Sequence, residues 1–160
     1  AYTYIIDIKN FAGSSTIFAG TKTTDTNWIV GTDNGIYYST NNGMDVNRVK
    51  NINGRVTSVL YTNNKIALAG IVSVNNTPQI MKSNNLEDWI NISSLNFMFY
   101  QNKVNKIYNM IEHDNKIYIA TNSGIYSGDI NGSSWTFEGK VGDLNALNGK
   151  KILGQEFKVG

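Results

Sequence analysis

The chain has 160 residues, of which 16% are charged, with a formal net charge of +2 and no cysteine. Disulfide frameworks and thiolate chemistry are therefore excluded, and the 14 Lys and Arg are too scattered to form a basic stripe for nucleic acid. No apolar run approaches the length of a membrane span, and the N-terminal AYTYIIDIKN has neither the basic region nor the long apolar core of a signal peptide. The expectation is one domain over residues 1–160, with a core of its own, no nucleic-acid partner and no membrane insertion.

Runs rich in Ile, Val, Tyr and Thr alternate with Asn- and Gly-rich tips, and no stretch holds a helical period beyond a single turn at 143–147. The class is all-β. In chain order, residues 2–9 and 16–20 read as strands that do not align with the later repeats. Residues 28–32 and 36–39 form the first clear pair, with Val46 to Ile52 as an outer strand. Residues 55–62, 66–74, 79–82 and 88–92 make a second set. Residues 104–111, 116–121, 124–127 and 134–139 make a third, and 150–159 read as the opening strand of another. Asn-Gly, at Asn34, Asn42, Asn53, Asn131 and Asn148, predicts type I′ hairpin turns, which need φ > 0 at both central residues.

The three sets are copies. Thr32, Gly35, Ile36 and Tyr37 match Thr121, Gly124, Ile125 and Tyr126, so TxxGIY recurs with its spacing intact. A looser middle copy aligns on Lys65 with Lys116, which sets Ile66 against Ile117 and Leu68 against Ile119; upstream, Val56, Val59 and Leu60 meet Ile107, Met110 and Ile111. The repeat averages about 44 residues, a period that marks β-propeller blades of four-stranded antiparallel sheets. About three full blades plus terminal strands are expected, with a β-sandwich as the alternative. The ring would be closed by the two ends sharing a blade, by copies of the chain, or by a neighbouring domain.

The hairpin tips carry a second signal. Ser39, Asn41 and Gly43 fit S-x-[D/N]-x-G. Ser127 and Asp129 begin the same pattern, with Gly132 and Trp135 pushed later, and Ser83, Asn85 and Trp89 give a copy without the Gly. This resembles the Asp-box (BNR) repeat, S-x-D-x-G-x-x-W, of sialidase-like and sortilin-like propellers, in which the box is a structural device. The Asp or Asn caps turn amides, the Gly takes a φ > 0 position, and the aromatic residue anchors the hairpin. Tyr37, recurring as Tyr126, reads as a packing residue; Tyr38 has no counterpart and reads as exposed.

No catalytic constellation stands out. His113 is the sole His and sits in a polar EHDN turn, and three consecutive side chains, Glu112, His113 and Asp114, do not converge on one ion. The Asp-box resemblance raises sialidase chemistry, which holds a substrate carboxylate with three Arg and uses a Tyr nucleophile beside a Glu; this chain has only Arg48 and Arg55. A hydrolytic carboxylate pair could be drawn from Asp129, Glu138, Asp143 or Glu156, with nothing to select one. No cofactor and no metal are expected. The binding candidates come from the middle copy, which departs from the others on one end of the blades. Its second-to-third-strand loop carries Asn75, Asn76, Thr77 and Pro78. Its exit segment is lengthened around Phe97, Phe99, Tyr100 and Gln101, where Tyr100 and Phe99 could stack on a sugar or anchor a protein partner. The plainer reading has Phe97 and Phe99 alternating into the core. The functional expectation is a non-enzymatic recognition or structural module for a glycan or a protein surface, extracellular or virion-associated. The alternative is a fragment of a sialidase-like glycoside hydrolase with its catalytic residues elsewhere.

Overall fold

In the computed structural model, residues 16–93, 103–129, 131, 135–139 and the backbone of 151–152 and 155–156 are described. Among them the only regular elements are strands. The first sheet is a meander of β1 (Ile17–Lys22), β2 (Trp28–Thr32), β3 (Gly35–Ser39) and β4 (Asn47–Arg48). The second holds β5 (Arg55–Tyr61), β6 (Ala67–Val72), β7 (Pro78–Ser83) and β8 (Ile90–Asn91). The third holds β9 (Ile107–His113), β10 (Lys116–Thr121), β11 (Gly124–Asp129) and β12 (Thr136–Gly139). All neighbouring strands are antiparallel. Residues 16–20 are therefore not outside the repeat: they belong to the first strand of the first blade. The segment 150–159 is likewise not one strand, because β13 (Lys151–Ile152) pairs back on β14 (Gln155–Glu156). The expected strand at 2–9 and the turn at 143–147 lie outside the described residues.

The sheets stack face to face. The inner strands β1, β5 and β9 lie side by side in that order. Two positions set the spacing. Gly31 on β2 has the Val56 carbonyl oxygen 2.5 Å from where a Cβ would stand, and Gly70 on β6 has Ile107 Cγ2 at 2.8 Å. In both, the bare backbone of one blade's second strand receives the inner strand of the next. Two apolar layers fill the seams. Ile36 and Val49 meet Val56, Ala69 and Ile71; Leu68 and Ile80 meet Ile107, Met110, Ile117 and Ile119. Every residue of β6 is buried. A sheet covered on both faces is not half of a β-sandwich, whose sheets each keep a solvent face. On β10 the pattern alternates instead: Ile117, Ile119 and Thr121 are buried, while Lys116, Tyr118 and Ala120 are not.

The middle copy is one residue out of the alignment expected for it. Leu68 and Ile119 do not occupy equivalent sites but face each other across the seam, in one cluster; Ala67 instead points back to Ile29. The cause is turn length. His113 pairs directly with Lys116 around a tight Asp114-Asn115 turn, whereas Thr62 bonds Ile66 around Asn63, Asn64 and Lys65. One extra residue reverses the face of everything after it.

Turn chemistry also differs from the Asn-Gly expectation. Of the Asn-Gly pairs whose turns are described, only Asn42-Gly43 has both φ values positive (62° and 90°), and it lies in the longer β3–β4 connection. The type I′ signature at a two-residue hairpin falls on Asp114-Asn115 (50° and 63°). TxxG works differently. Thr32 Oγ1 donates to the Gly35 carbonyl at 3.0 Å and accepts the Asn34 amide at 3.0 Å; Thr121 repeats this with Gly124 (2.7 Å) and Ser123 (3.1 Å). Gly35 and Gly124 sit at φ of 93° and 127°, where L side chains are strained.

At the other tips, Ser39 Oγ accepts the amides of Asn41 (3.3 Å) and Gly43 (2.8 Å), and Asn41 Oδ1 accepts that of Asp45 (2.8 Å). Ser83 and Asn85 do the same, Ser83 for Asn85 and Leu86, Asn85 for Glu87 and Asp88, with Leu86 at φ 69° in place of a Gly. Ser127 departs: its hydroxyl donates to Glu138 Oε1 at 2.7 Å. Trp135 still covers its hairpin, lying against Gly128 and donating Nε1–H to the Ile92 carbonyl at 3.4 Å. Tyr37 and Tyr126 are both buried, as their recurrence implied. Tyr38 is not fully exposed: it packs beside Ile29, Ala67 and Leu86, and this burial, with the Glu87 and Asp88 carboxylates, raises its hydroxyl pKa.

If glycine sets the blade spacing, Gly31→Ala and Gly70→Ala should each lose about 1–3 kcal/mol through overpacking. Gly20→Ala should stay within about 0.5 kcal/mol, because a Cβ there meets nothing nearer than 3.6 Å. Urea titration of the three variants decides; a common midpoint would contradict the packing.

Candidate functional site

The register fixes which ends of the strands come together. Arg55 pairs with Val72, Ile107 with Thr121 and Ile17 with Thr32, so the starts of the inner strands lie beside the β2–β3, β6–β7 and β10–β11 connections. At this end the inner strands enclose a cleft of about 200 Å³. Val72 and Ile107, both buried, line its apolar part. Phe18 and Tyr108, 44% and 58% exposed, flank it, and Arg55 and Lys106 bring two cations. Thr57 and Asn105 complete the lining.

Each wall is held by the backbone. Thr57 Oγ1 donates to the Ile107 carbonyl across the seam between β5 and β9. Asn122, in the β10–β11 turn, accepts the amides of Asn105 (2.9 Å) and Lys106 (3.0 Å) on one side-chain oxygen and donates to the Lys103 carbonyl at 3.4 Å. These bonds fix the segment that carries Lys106 and leave its ammonium group free. Among the described residues, no hydrogen bond or ion pair engages the side chain of Arg55 or Lys106. Arg48 is the opposite case. Its guanidinium donates to the Asn34 and Ile52 carbonyls (3.0 and 3.2 Å) and to the side-chain oxygens of Asn34 and Asn53 (3.3 and 3.0 Å). Through Nε and Nη2 it ties the β2–β3 turn to the connection leaving the blade.

Of the residues singled out in the sequence, Asn75, Asn76 and Thr77 lie at this same end but do not line the cleft. Their loop closes on Ser73, whose Oγ accepts the Asn75 and Thr77 amides (3.3 and 3.1 Å), while the Asn76 amide bonds the Ser73 carbonyl and Asn76 takes φ 59°. Phe97, Phe99, Tyr100 and Gln101 lie outside the described residues. Phe18, Lys106 and Tyr108 were missed by sequence reasoning, and Arg55 was noted only as one of two arginines. The available signal was an aromatic residue at the second position of an inner strand, in both IFAG and IYNM, preceded by Ile and followed by a small or polar residue.

His113 ends β9, with Nε2 3.2 Å from Asp114 Oδ2. Two of the candidate carboxylates have structural partners, Glu138 with Ser127 and Asp129 with the Asn131 amide at 2.9 Å. Among the described residues, no three His, Cys, Asp or Glu side chains are grouped to hold a metal ion, and no helix is long and apolar enough to cross a membrane.

The two arginines should separate in a stability assay. Arg48→Ala leaves carbonyls of the turn without a partner and should cost about 1–3 kcal/mol; Arg55→Ala should stay within about 0.5 kcal/mol. Thermal unfolding of the two variants tests this, and equal losses would contradict the distinction.

No protein-family model and no curated protein matches the chain. Solved structures do. An ancestral GH74 enzyme is similar at 19% identity and a TM-score of 0.58, over 76% of this chain and 18% of its own. YCF48 bound to D1 peptide gives 14% and 0.57, over 78% and 40%. The GH74 enzyme of Niastella koreensis gives 17% and 0.55, over 76% and 20%. The chain spans less than half the length of each. At such identities the likeness is one of fold, and together with three stacked four-stranded meanders around adjacent inner strands it makes the architecture that of β-propeller blades.

Proposed function

We propose that the chain is a non-enzymatic recognition module whose inner-strand cleft receives a segment of a partner protein. One observation carries this reading: two exposed aromatic rings and two cations without partners among the described residues converge on one cleft, held by backbone bonds that use none of those four side chains. Exposed aromatics with a polar tip or a bare face are the usual anchors of protein contacts. A volume of about 200 Å³ is below the range of pockets that enclose a whole small-molecule substrate and suits one or two side chains. A propeller of similar fold is seen bound to a peptide, which is a precedent for the architecture and not for this sequence. The glycan alternative keeps the same rings as stacking platforms, and the loop at Asn75, Asn76 and Thr77 would extend the contact. The extracellular or virion placement belongs to this proposal too, on composition alone.

The Asp-box relationship is part of the same reading. The paired Ser and Asn caps at Ser39–Asn41 and Ser83–Asn85 support it, and the diverted Ser127 weakens it for the third blade. The non-enzymatic assignment is supported by the commitment of Arg48 Nε and Nη2 to turn backbone and Asn side chains and by the structural partners of Glu138 and Asp129. The half-buried positions of β10, Tyr118 and Ala120, would take a further blade that continues the ring.

Selection of a random-peptide display library on the purified chain should enrich binders that are lost on Phe18→Ala or Tyr108→Ala at unchanged melting temperature. Binders indifferent to both variants would overturn the site; binding on a glycan array with no peptide enrichment would overturn the ligand class. Turnover of fluorogenic sialosides and glucosides by the purified chain should not exceed buffer, and turnover well above it would overturn the non-enzymatic assignment.

A further inference from the structure

We infer that the cleft selects a carboxylate, offered by a peptide segment beside an apolar side chain. This rests on the cleft being the recognition site and goes further by naming what it recognises. The lining has two cationic side chains and no acidic one. Nothing among the described residues neutralises them: the ion pair found there, His113 with Asp114, belongs to the β9–β10 turn at the opposite end of the strands. Arg55 can offer a planar pair of donors and Lys106 a point charge. Both are exposed, so they reach a ligand without having been desolvated in the fold. Beside them Phe18 and Tyr108 present uncovered ring surface, and the buried Val72 and Ile107 supply an apolar wall. A purely apolar segment would cover the rings and leave the cations against it; a basic segment would be repelled. An acidic residue next to a large apolar one satisfies both halves of the lining. The donors that build the site stay out of the contact, because Thr57 and Asn122 are committed to backbone.

The test uses the intact chain and fluorescein-labelled nonapeptides read by anisotropy. One peptide alternates Glu and Leu between glycines, a second carries Gln for each Glu, and a third is a neutral Gln–Leu peptide with a free C-terminal carboxylate, compared with its amide. The Glu peptide should bind saturably, lose about tenfold in affinity between low and high salt because the charges are exposed, and lose at least about tenfold in the Arg55→Gln, Lys106→Gln double variant at unchanged melting temperature. Preference for the free C-terminus over its amide, lost in the double variant, would assign the carboxylate to a chain end; its absence assigns it to side chains. Equal binding of the Glu and Gln peptides, or a Glu peptide indifferent to the double variant, overturns the charge selectivity. If that neutral binding is abolished by Phe18→Ala, the recognition reading survives while the carboxylate inference falls. No saturable binding of any peptide overturns the inference.

Discussion

The structure depends on close approach between blades at two glycines. Gly31 and Gly70 leave the second strand of one blade bare where the inner strand of the next crosses it, with Val56 and Ile107 filling the space a side chain would need. Apolar burial then works on both faces of the middle strand, which is why β6 has no exposed position. Each fully buried Ile or Leu in these seams contributes roughly 1.5–3 kcal/mol over an exposed one, so the seams, and not the paired backbones alone, hold the sheets in order.

That spacing has a consequence for function. Bringing the blades together at the glycines sets β1, β5 and β9 side by side, and the side chains of these strands that point away from the seams have no partner blade to bury them. Phe18, Arg55 and Tyr108 occupy such positions. The end of the strands is rigid for a separate reason: Arg48, Thr32, Thr121, Ser73 and Asn122 each spend their donors or acceptors on turn backbone. A site of free side chains on pinned backbone suffers little ordering cost when it binds.

The blade pattern was legible in the sequence where burial constrains it. TxxGIY recurs because Thr32 and Thr121 cap the same turn and because Tyr37 and Tyr126 are buried alike. The inner strand β1 was read as a strand at 16–20 but not as part of the repeat, since it shares with β9 only an Ile followed by an aromatic residue. The register of the middle copy was misread by one residue, because Lys65 and Lys116 look equivalent while the turns before them differ in length. The end of the blades that bears the cleft was legible from strand connectivity, but its residues were not. The long Asn-rich loop stands out in the sequence, whereas the cleft is assembled from residues of β1, β5, β6 and the start of β9, which lie far apart in the chain and which no local motif records.

The blade order can be tested directly by nuclear Overhauser contacts in the labelled chain. The structure requires Gly31 Hα to lie against the Val56 methyls and Gly70 Hα against the Ile107 side chain, with Leu68 and Ile119 methyls in mutual contact. Observation of all three confirms the stacking that brings Arg55 and Lys106 to one cleft. Contacts from Leu68 to the Ile29 or Ile36 side chains, with none to Ile119, would put β6 in the other register and contradict both the fold and the site built on it.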